Sequence, residues 1–168
     1  AREREGAAAR LAAAAVALSE RRQRAAADLG ARWQARLAPL GLARATLRIA
    51  VTPLVDPQGW IELGGTAYRA GEYGMDRVEI LVRPNPDLAE GALGELPSGG
   101  ELSRIAFARH LIERAPGRPG DVAAPVLVLD EVDAGIGADL ASTLGQELAT
   151  LARRRQILLV TPQARLAA

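Results

Sequence analysis

An acidic pair directly follows a short aliphatic run in the last third of the chain. Asp130 and Glu131 come after residues 126–129, an uninterrupted apolar run that predicts a strand buried on both faces. Carboxylates at the mouth of a rigid strand can bind a hydrated magnesium ion and accept a proton from an attacking water. The pair therefore suggests a Walker B arrangement. Taken alone, such a pair more often opens a turn, which Asp133 and Gly135 would complete.

A second segment with possible chemistry lies about thirty residues earlier. Ser98, Gly99 and Gly100 carry no side chain larger than a hydroxymethyl group and directly precede a predicted helix. Backbone amides and a helix N-terminus at such a site can closely approach phosphate oxygens. Taken alone, the same triplet is more commonly a serine N-cap followed by flexible glycines.

The elements around the acidic pair predict how it is positioned. A helix with leucines on one face follows the first aliphatic strand, and residues 157–160 form a second aliphatic strand. Because a right-handed βαβ crossover makes the two strands parallel, Asp130, Glu131 and Thr161 should lie at the same sheet edge. Open α/β sheets bind ligands at that edge.

The rest of the chain predicts one long helix, a small sheet and a second helix. Residues 1–38 are rich in alanine and arginine and read as a single helix, which Pro39 and Gly41 end. Trp33 and Trp60 are expected to cover core. The remaining predictions are strands at 45–51, 60–63 and 77–82, a loop at 84–94, and a helix to about residue 115 with Leu102, Ile105, Ala106 and Ile112 on its inner side.

Composition limits the class of protein. The chain has 168 residues, 49% of them hydrophobic and 24% charged, and its apolar runs are too short to span a membrane. It has no cysteine and one histidine, which excludes a disulfide framework and thiolate metal sites. Without a secretory signal at the start, we expect a cytoplasmic protein with no membrane partner.

Residues 98–104 and 126–136 together resemble the ABC-type ATPase heads of SMC-like proteins, and among them bacterial proteins of DNA double-strand break repair. The resemblance covers about residues 30–168. It implies an α/β fold: part of an ABC-type, P-loop NTPase-like head with a parallel βαβ core, a small antiparallel sheet and an N-terminal helix that ends a coiled-coil arm. The domains would be the arm, 1–38, and the C-terminal lobe of the head, 39–168.

The resemblance also implies roles for individual residues. Glu131 would be the general base and Asp130 the magnesium ligand. The signature loop and the loop that crosses between two heads would contact ATP through Ser98, Gly99, Gly100, Glu101, Asp133, Ala134 and Gly135. Two heads would enclose two nucleotides, so the implied cofactors are ATP and Mg²⁺ and the implied partners are a second head and DNA.

Two departures from the family pattern limit what this chain can do alone. All 21 basic residues are arginine, so the chain cannot supply the lysine of a Walker A loop. The resemblance places that loop in an N-terminal part of the same head, and we expect this chain alone to be inactive. Pro162 lies where the family's switch histidine follows valine and threonine. His110 is no evident substitute for it and is more simply a solvated or locally bonded helix residue than a ligand.

Two other functions stay open at this point. The arginines of residues 1–48, ten against four acids, are compatible with a non-catalytic module that binds DNA or a partner. An ABC transporter ATPase subunit shares the general plan, but Glu101 and Val132 depart from the glutamine and proline usual there. The resemblance favours ATP hydrolysis by paired heads in DNA repair and recombination, near the bacterial nucleoid.

Overall fold

The computed structural model describes residues 2–95, 99–113 and 126–167, and the side chains of Arg2, Arg165 and Ala167 are not among the described groups. Helical segments and then five successive strands come first, and helices and strands alternate in the last part of the chain. In chain order they are α1 (Arg2–Gln34), a 3₁₀ helix (Ala38–Leu40), β1 (Thr46–Pro53), β2 (Ile61–Leu63), β3 (Thr66–Tyr68), β4 (Asp76–Arg83), β5 (Gly91–Ala92), a 3₁₀ helix (Leu93–Glu95), α2 (Gly99–Ile112), β6 (Leu127–Asp130), α3 (Ala138–Ala152), β7 (Ile157–Val160) and α4 (Ala164–Ala167).

The chain divides into two compact units. The first comprises Ala1–Ala31 with Arg48–Leu81, and the second comprises Arg32–Leu47 with Val82–Ala168. Strands β1, β4 and β5 form a sheet in the order β1-β4-β5, β2 pairs antiparallel with β3, and β6 pairs parallel with β7. The predictions of an α/β fold, of an N-terminal helix and of a parallel βαβ unit are confirmed. The prediction that the three middle strands form one sheet is wrong: β2 pairs antiparallel with the unpredicted strand β3, while β1 and β4 lie in a separate sheet with β5, which falls in the predicted loop 84–94.

The first unit has a small core against α1. Ala15, Ile61 and Met75 are buried together. Beside them the carboxylate of Asp76 accepts hydrogen bonds from the Ser19 hydroxyl at 2.7 Å and from the Arg22 guanidinium at 3.1 Å. These contacts fasten one face of α1 to β4.

Trp60, also in this unit, is 50% exposed, so the prediction that it covers core is wrong. It directly precedes the three-residue strand β2, whose only buried side chain is that of Ile61. Within the described part of the unit, the short hairpin offers too little surface to enclose an indole.

The second unit begins at the end of α1. The indole of Trp33 is 2% exposed and donates to the carbonyl of Ile105 at 2.8 Å, so the prediction that it covers core is confirmed. The side chain of Gln34 makes two hydrogen bonds: its Nε2 donates to the carbonyl of Ala45, and its Oε1 accepts from the backbone amide of Leu47. The helix ends at residue 34, four residues earlier than predicted, because the backbone amides of Arg36 and Leu37 bond three residues back instead of four.

Helices α2 and α3 supply much of the core of the second unit. The prediction for α3 is confirmed, because Leu144, Leu148 and Leu151 are buried on one face. The buried residues of α2 are Gly100, Arg104, Ile105, Phe107 and Ala108. Ala106 is exposed, so its predicted place on the inner side is wrong: Phe107 and Ala108 take that side, one to two positions further on.

Strands β6 and β7 have one open face. Val128 pairs with Leu158 and Asp130 with Val160, which sets alternate side chains of both strands on the same side. Four aliphatic residues of that side are half or more exposed: Val126 at 50%, Val128 at 63%, Leu158 at 51% and Val160 at 59%. The prediction of a strand buried on both faces is therefore wrong for the described residues. We call these four residues the apolar face. None of the described helices is long and apolar enough to cross a membrane.

Candidate nucleotide site

The acidic pair lies where the βαβ interpretation predicts. Asp130 ends β6 and pairs with Val160 of the parallel neighbour β7, so the residues that follow both strands emerge at one sheet edge. Asp130 and Glu131 are exposed at that edge, while the next residue, Val132, is fully buried. The buried valine anchors the turn and leaves both carboxylates open to a ligand.

Glu131 has an unusual backbone conformation. Its φ of 54° lies in the left-handed region, and no other described residue except glycine has a positive φ. A side chain there costs about 1 to 3 kcal/mol and persists only where the surroundings dictate it. The amide of Ala134 donates to the carbonyl of Glu131 at 3.0 Å, which closes the turn.

The start of α2 reaches the same place. Gly99 and Gly100 form the first turn of the helix, and Ser98 lies outside the described residues. A Cβ added at Gly99 would lie 3.9 Å from Oε2 of Glu131. One at Gly100 would lie 2.9 Å from the Cβ of Ala134. The two segments singled out in the sequence are therefore in contact, and the approach depends on glycine at position 100.

Arg104, one turn further along α2, also holds this helix against the loop that follows Glu131. Its side chain is buried, and Nη1 donates to the carbonyl of Ala134 at 2.8 Å. Burial lowers the pKa of the Arg104 guanidinium, and the nearby Glu101 carboxylate offsets part of that effect. Sequence reasoning assigned Arg104 no role of its own. Its spacing of three residues from Glu101 on one helix was the available signal.

The loop after β6 is also bonded to the end of β7. Asp133 is 2% exposed, and its Oδ2 accepts a hydrogen bond from the Thr161 hydroxyl. The Gln163 side chain donates to the carbonyls of Asp133 at 3.2 Å and Ile136 at 3.4 Å. Ala134 and Gly135 are exposed, the latter with a φ of 72°. Gln163 went unnoticed in the sequence because nothing local connects it to residue 133.

A second polar cluster lies at the C-terminal end of α2. Glu113 accepts hydrogen bonds from Arg109 and, at 2.8 Å, from Arg155, and its Oε2 lies 3.0 Å from Nδ1 of His110. Burial alone would raise the pKa of Glu113, but the bonds from Arg109, His110 and Arg155 outweigh it and lower the pKa to about 2. Of the two alternatives predicted for His110, a solvated or a locally bonded helix residue, the structure shows the second.

The donors at the sheet edge fit magnesium bound mainly through a nucleotide. Mg²⁺ usually keeps several waters and takes one or two carboxylates plus substrate phosphates. Asp130 offers one exposed carboxylate beside Glu131. Within residues 2–95, 99–113 and 126–167, no cluster of three or more His, Cys, Asp or Glu side chains could hold a metal unaided.

Comparison with known proteins identifies the relatives of the chain. It is similar to the DNA repair protein RecN of Streptomyces coelicolor, with 36% identity over 159 residues, 95% of this chain and 27% of that protein. RecN of Mycobacterium tuberculosis is 35% identical over 152 residues, and RecN of Deinococcus radiodurans 34% over 152 residues. The chain spans about a quarter of the length of these relatives. No family model matches it.

Among solved structures, the chain is similar to the Smc head domain of Pyrococcus furiosus, with a TM-score of 0.47 and 15% identity over 83% of this chain and 29% of the other. The Smc head domain of Pyrococcus yayanosii gives a TM-score of 0.48 with 17% identity, covering 83% and 22%. The sequence relationship to several bacterial RecN proteins extends over most of the chain. The chain therefore belongs to the family of the DNA repair protein RecN.

Proposed function

We propose that this chain supplies the Walker B and signature part of an ATPase head that acts in bacterial DNA double-strand break repair and recombination. The observation that carries the proposal is the contact between the Glu131 turn and the first turn of α2 at the open edge of β6 and β7. The carboxylate provides a base for water, and the helix N-terminus provides backbone amides for phosphate. In paired heads, the helix N-terminus of one head would contact the ATP held by the other.

Glu131 is the general base in this proposal. Its exposed carboxylate follows a rigid strand, and its strained backbone is held by the buried residues on either side of it in sequence, Leu129 and Val132. Asp130 would hold Mg²⁺, which neutralises phosphate charge when bound. Phosphoryl transfer depends mainly on such positioning and electrostatic stabilisation, and little covalent chemistry by the protein is required.

The Walker A loop must come from another segment, because the chain has no lysine. We propose that a lysine-bearing lobe of the same head packs on the apolar face. Two observations support this occupant: four aliphatic side chains there are half or more exposed, and the relatives are about four times as long as this chain. This chain alone is then inactive as an ATPase.

The remaining partners follow from the same proposal. The N-terminal helix, residues 1–38, would end a coiled-coil arm, and residues 39–168 would form the C-terminal lobe of the head. A second head would close on ATP through the signature loop, with Ser98, Gly99, Gly100 and Glu101 on one side and the loop of Asp133, Ala134 and Gly135 crossing between heads. The complete protein would work on DNA in the cytoplasm.

Replacing the base tests this function. In the complete protein, Glu131→Gln is expected to leave ATP binding intact and to slow ATP turnover by about 10² to 10⁴, because the amide cannot accept the proton of the attacking water. Equilibrium ATP binding and steady-state phosphate release measure the two effects. Glu62→Gln, an exposed change on β2, is the control and should alter neither. Unchanged turnover in Glu131→Gln would remove Glu131 from this role.

A further inference from the structure

The loop that carries Glu131 is held from two sides. From α2, Arg104 donates to the carbonyl of Ala134, and Gly100 allows close backbone approach. From the other side, two residues that follow β7, Thr161 and Gln163, bind the loop through separate hydrogen bonds. The loop conformation therefore depends on groups that come from two distant parts of the chain.

The contacts from the β7 side form one connected unit. The backbone amide of Gln163 donates to the Thr161 hydroxyl at 2.9 Å, and that hydroxyl donates in turn to Oδ2 of Asp133 at 2.5 Å. Such a turn between a threonine hydroxyl and the amide two residues on fits Pro162 in the middle position, since proline fixes its own φ near −65°. The turn therefore fixes the orientation of the Thr161 hydroxyl toward Asp133.

Asp133 depends strongly on this hydroxyl. Its side chain is buried, and its second carboxylate oxygen, Oδ1, is buried without a hydrogen bond from any described residue. The Thr161 hydroxyl is the side-chain donor that the structure gives to this carboxylate. Removing a partner from a buried charged group costs more than removing one at the surface. The loop position two residues after Glu131 is therefore sensitive to Thr161.

We propose that Thr161 and Gln163 are positioning residues that hold Glu131 in its left-handed conformation through Asp133. The inference rests on the proposed function of Glu131 as the base. It gives the end of β7 a role that needs no titratable group at position 162. Thr161 acts on the base through the loop and does not itself touch the reacting phosphate.

The test compares Thr161→Val with Thr161→Ser in the complete protein. Valine keeps the shape and removes the hydroxyl, so kcat for ATP should fall about 10- to 100-fold with KM changed less than twofold. Serine keeps the hydroxyl and should restore kcat to within about threefold of the parent. An unchanged kcat in Thr161→Val, or a loss that serine does not restore, would overturn the inference.

A second comparison separates positioning from a general structural role. In a protein that already carries Glu131→Gln, adding Thr161→Val should cause almost no further loss of turnover, because the base it positions is gone. A full additional loss would show that Thr161 acts independently of Glu131 and would contradict the inference. Gln163→Leu removes the bonds from the Gln163 side chain but leaves the Asp133 carboxylate bonded to Thr161. Its kcat is therefore expected to fall less, by about 3- to 10-fold.

The same experiments distinguish failure of the inference from failure of the proposed function. If Glu131→Gln leaves turnover unchanged, the function assigned to Glu131 fails. If Glu131→Gln slows turnover as expected while Thr161→Val and Gln163→Leu do not reduce kcat, only the positioning role fails.

Discussion

The close approach between α2 and the Glu131 loop leads to a sharp prediction at Gly100. A Cβ there would lie 2.9 Å from the Cβ of Ala134 and 3.1 Å from its carbonyl oxygen. Neither atom can rotate away, because both are fixed to the backbone. Gly99 is the matched control: a Cβ at that position would meet its nearest neighbour, Oε2 of Glu131, at an ordinary 3.9 Å.

Two opposing effects determine how much each alanine substitution changes the free energy of unfolding. Alanine in place of glycine gains up to about 1 kcal/mol of helix propensity at either position. At Gly100 the added methyl group also forces α2 and the loop apart, and overpacking of this kind costs about 1 to 3 kcal/mol. Because the propensity gain is common to both variants, Gly100→Ala should be less stable than Gly99→Ala by about 1 to 3 kcal/mol.

Urea unfolding of the 168-residue chain, followed by circular dichroism, measures this difference. Turnover of the complete protein should also fall in Gly100→Ala, because the loop that carries Glu131 must move. Equal stability of the two alanine variants would mean that the contact with Ala134 is not tight, and the argument that glycine is required at position 100 would be wrong.

Two further predictions concern the second polar cluster and the apolar face. Glu113→Gln should destabilise the chain at pH 7 by about 1 to 2 kcal/mol. The pKa of Glu113 is lowered from 4.5 to about 2, which corresponds to about 3 kcal/mol. Water at this partly exposed carboxylate reduces that value. Because the folded pKa is the lower one, the stabilisation is fully present above pH 4.5 and is lost as the pH falls toward 2. Urea unfolding should therefore show a difference at pH 3 that is about 40% of the difference at pH 7. An equal difference at both pH values would contradict the origin of the effect. Leu158→Asp should leave the stability of the chain within about 0.5 kcal/mol, since the side chain is 51% exposed, but should abolish co-purification with a lysine-bearing lobe. Retained co-purification would mean that the lobe packs elsewhere.

The parts of the fold that sequence could predict are those with local signals. The aliphatic runs of β6 and β7 and the leucine periodicity of α3 lie within short windows, and together they imply parallel strands and a shared edge for Asp130 and Thr161. The family resemblance implied that both motifs contact ATP in paired heads, but it did not imply that they touch within one chain. No local pattern shows that Gly100 lies against Ala134.

The predictions that failed depend on what surrounds an element. An aliphatic run has the same sequence pattern whether the residues that bury it belong to this chain or to another segment. The exposure of Val128 could therefore not be predicted from the sequence. Trp60 is apolar enough for a core but belongs to a hairpin too small to enclose it. At the end of α1, Gln34 bonds to residues eleven and thirteen positions away, and no local pattern in the sequence shows these contacts.

The buried state of Asp133 illustrates the same limit at the site. In the sequence it follows two exposed acids and resembles them, yet it is 2% exposed and bonded to Thr161, 28 residues later. Only the parallel pairing of β6 and β7 brings these residues together. The resemblance indicated the loop to which Asp133 belongs, but it did not indicate that the side chain faces the end of β7.

The central claim is that this chain contributes the base and the signature helix to an ATPase head completed by a lysine-bearing lobe. The most direct measurement is ATP hydrolysis by this chain, by the lobe containing the glycine and lysine loop, and by the two together, each with and without Mg²⁺. We expect magnesium-dependent hydrolysis only in the mixture. Hydrolysis by the lobe alone at the same rate, or none in a mixture that forms a stable complex and binds ATP, would contradict the claim.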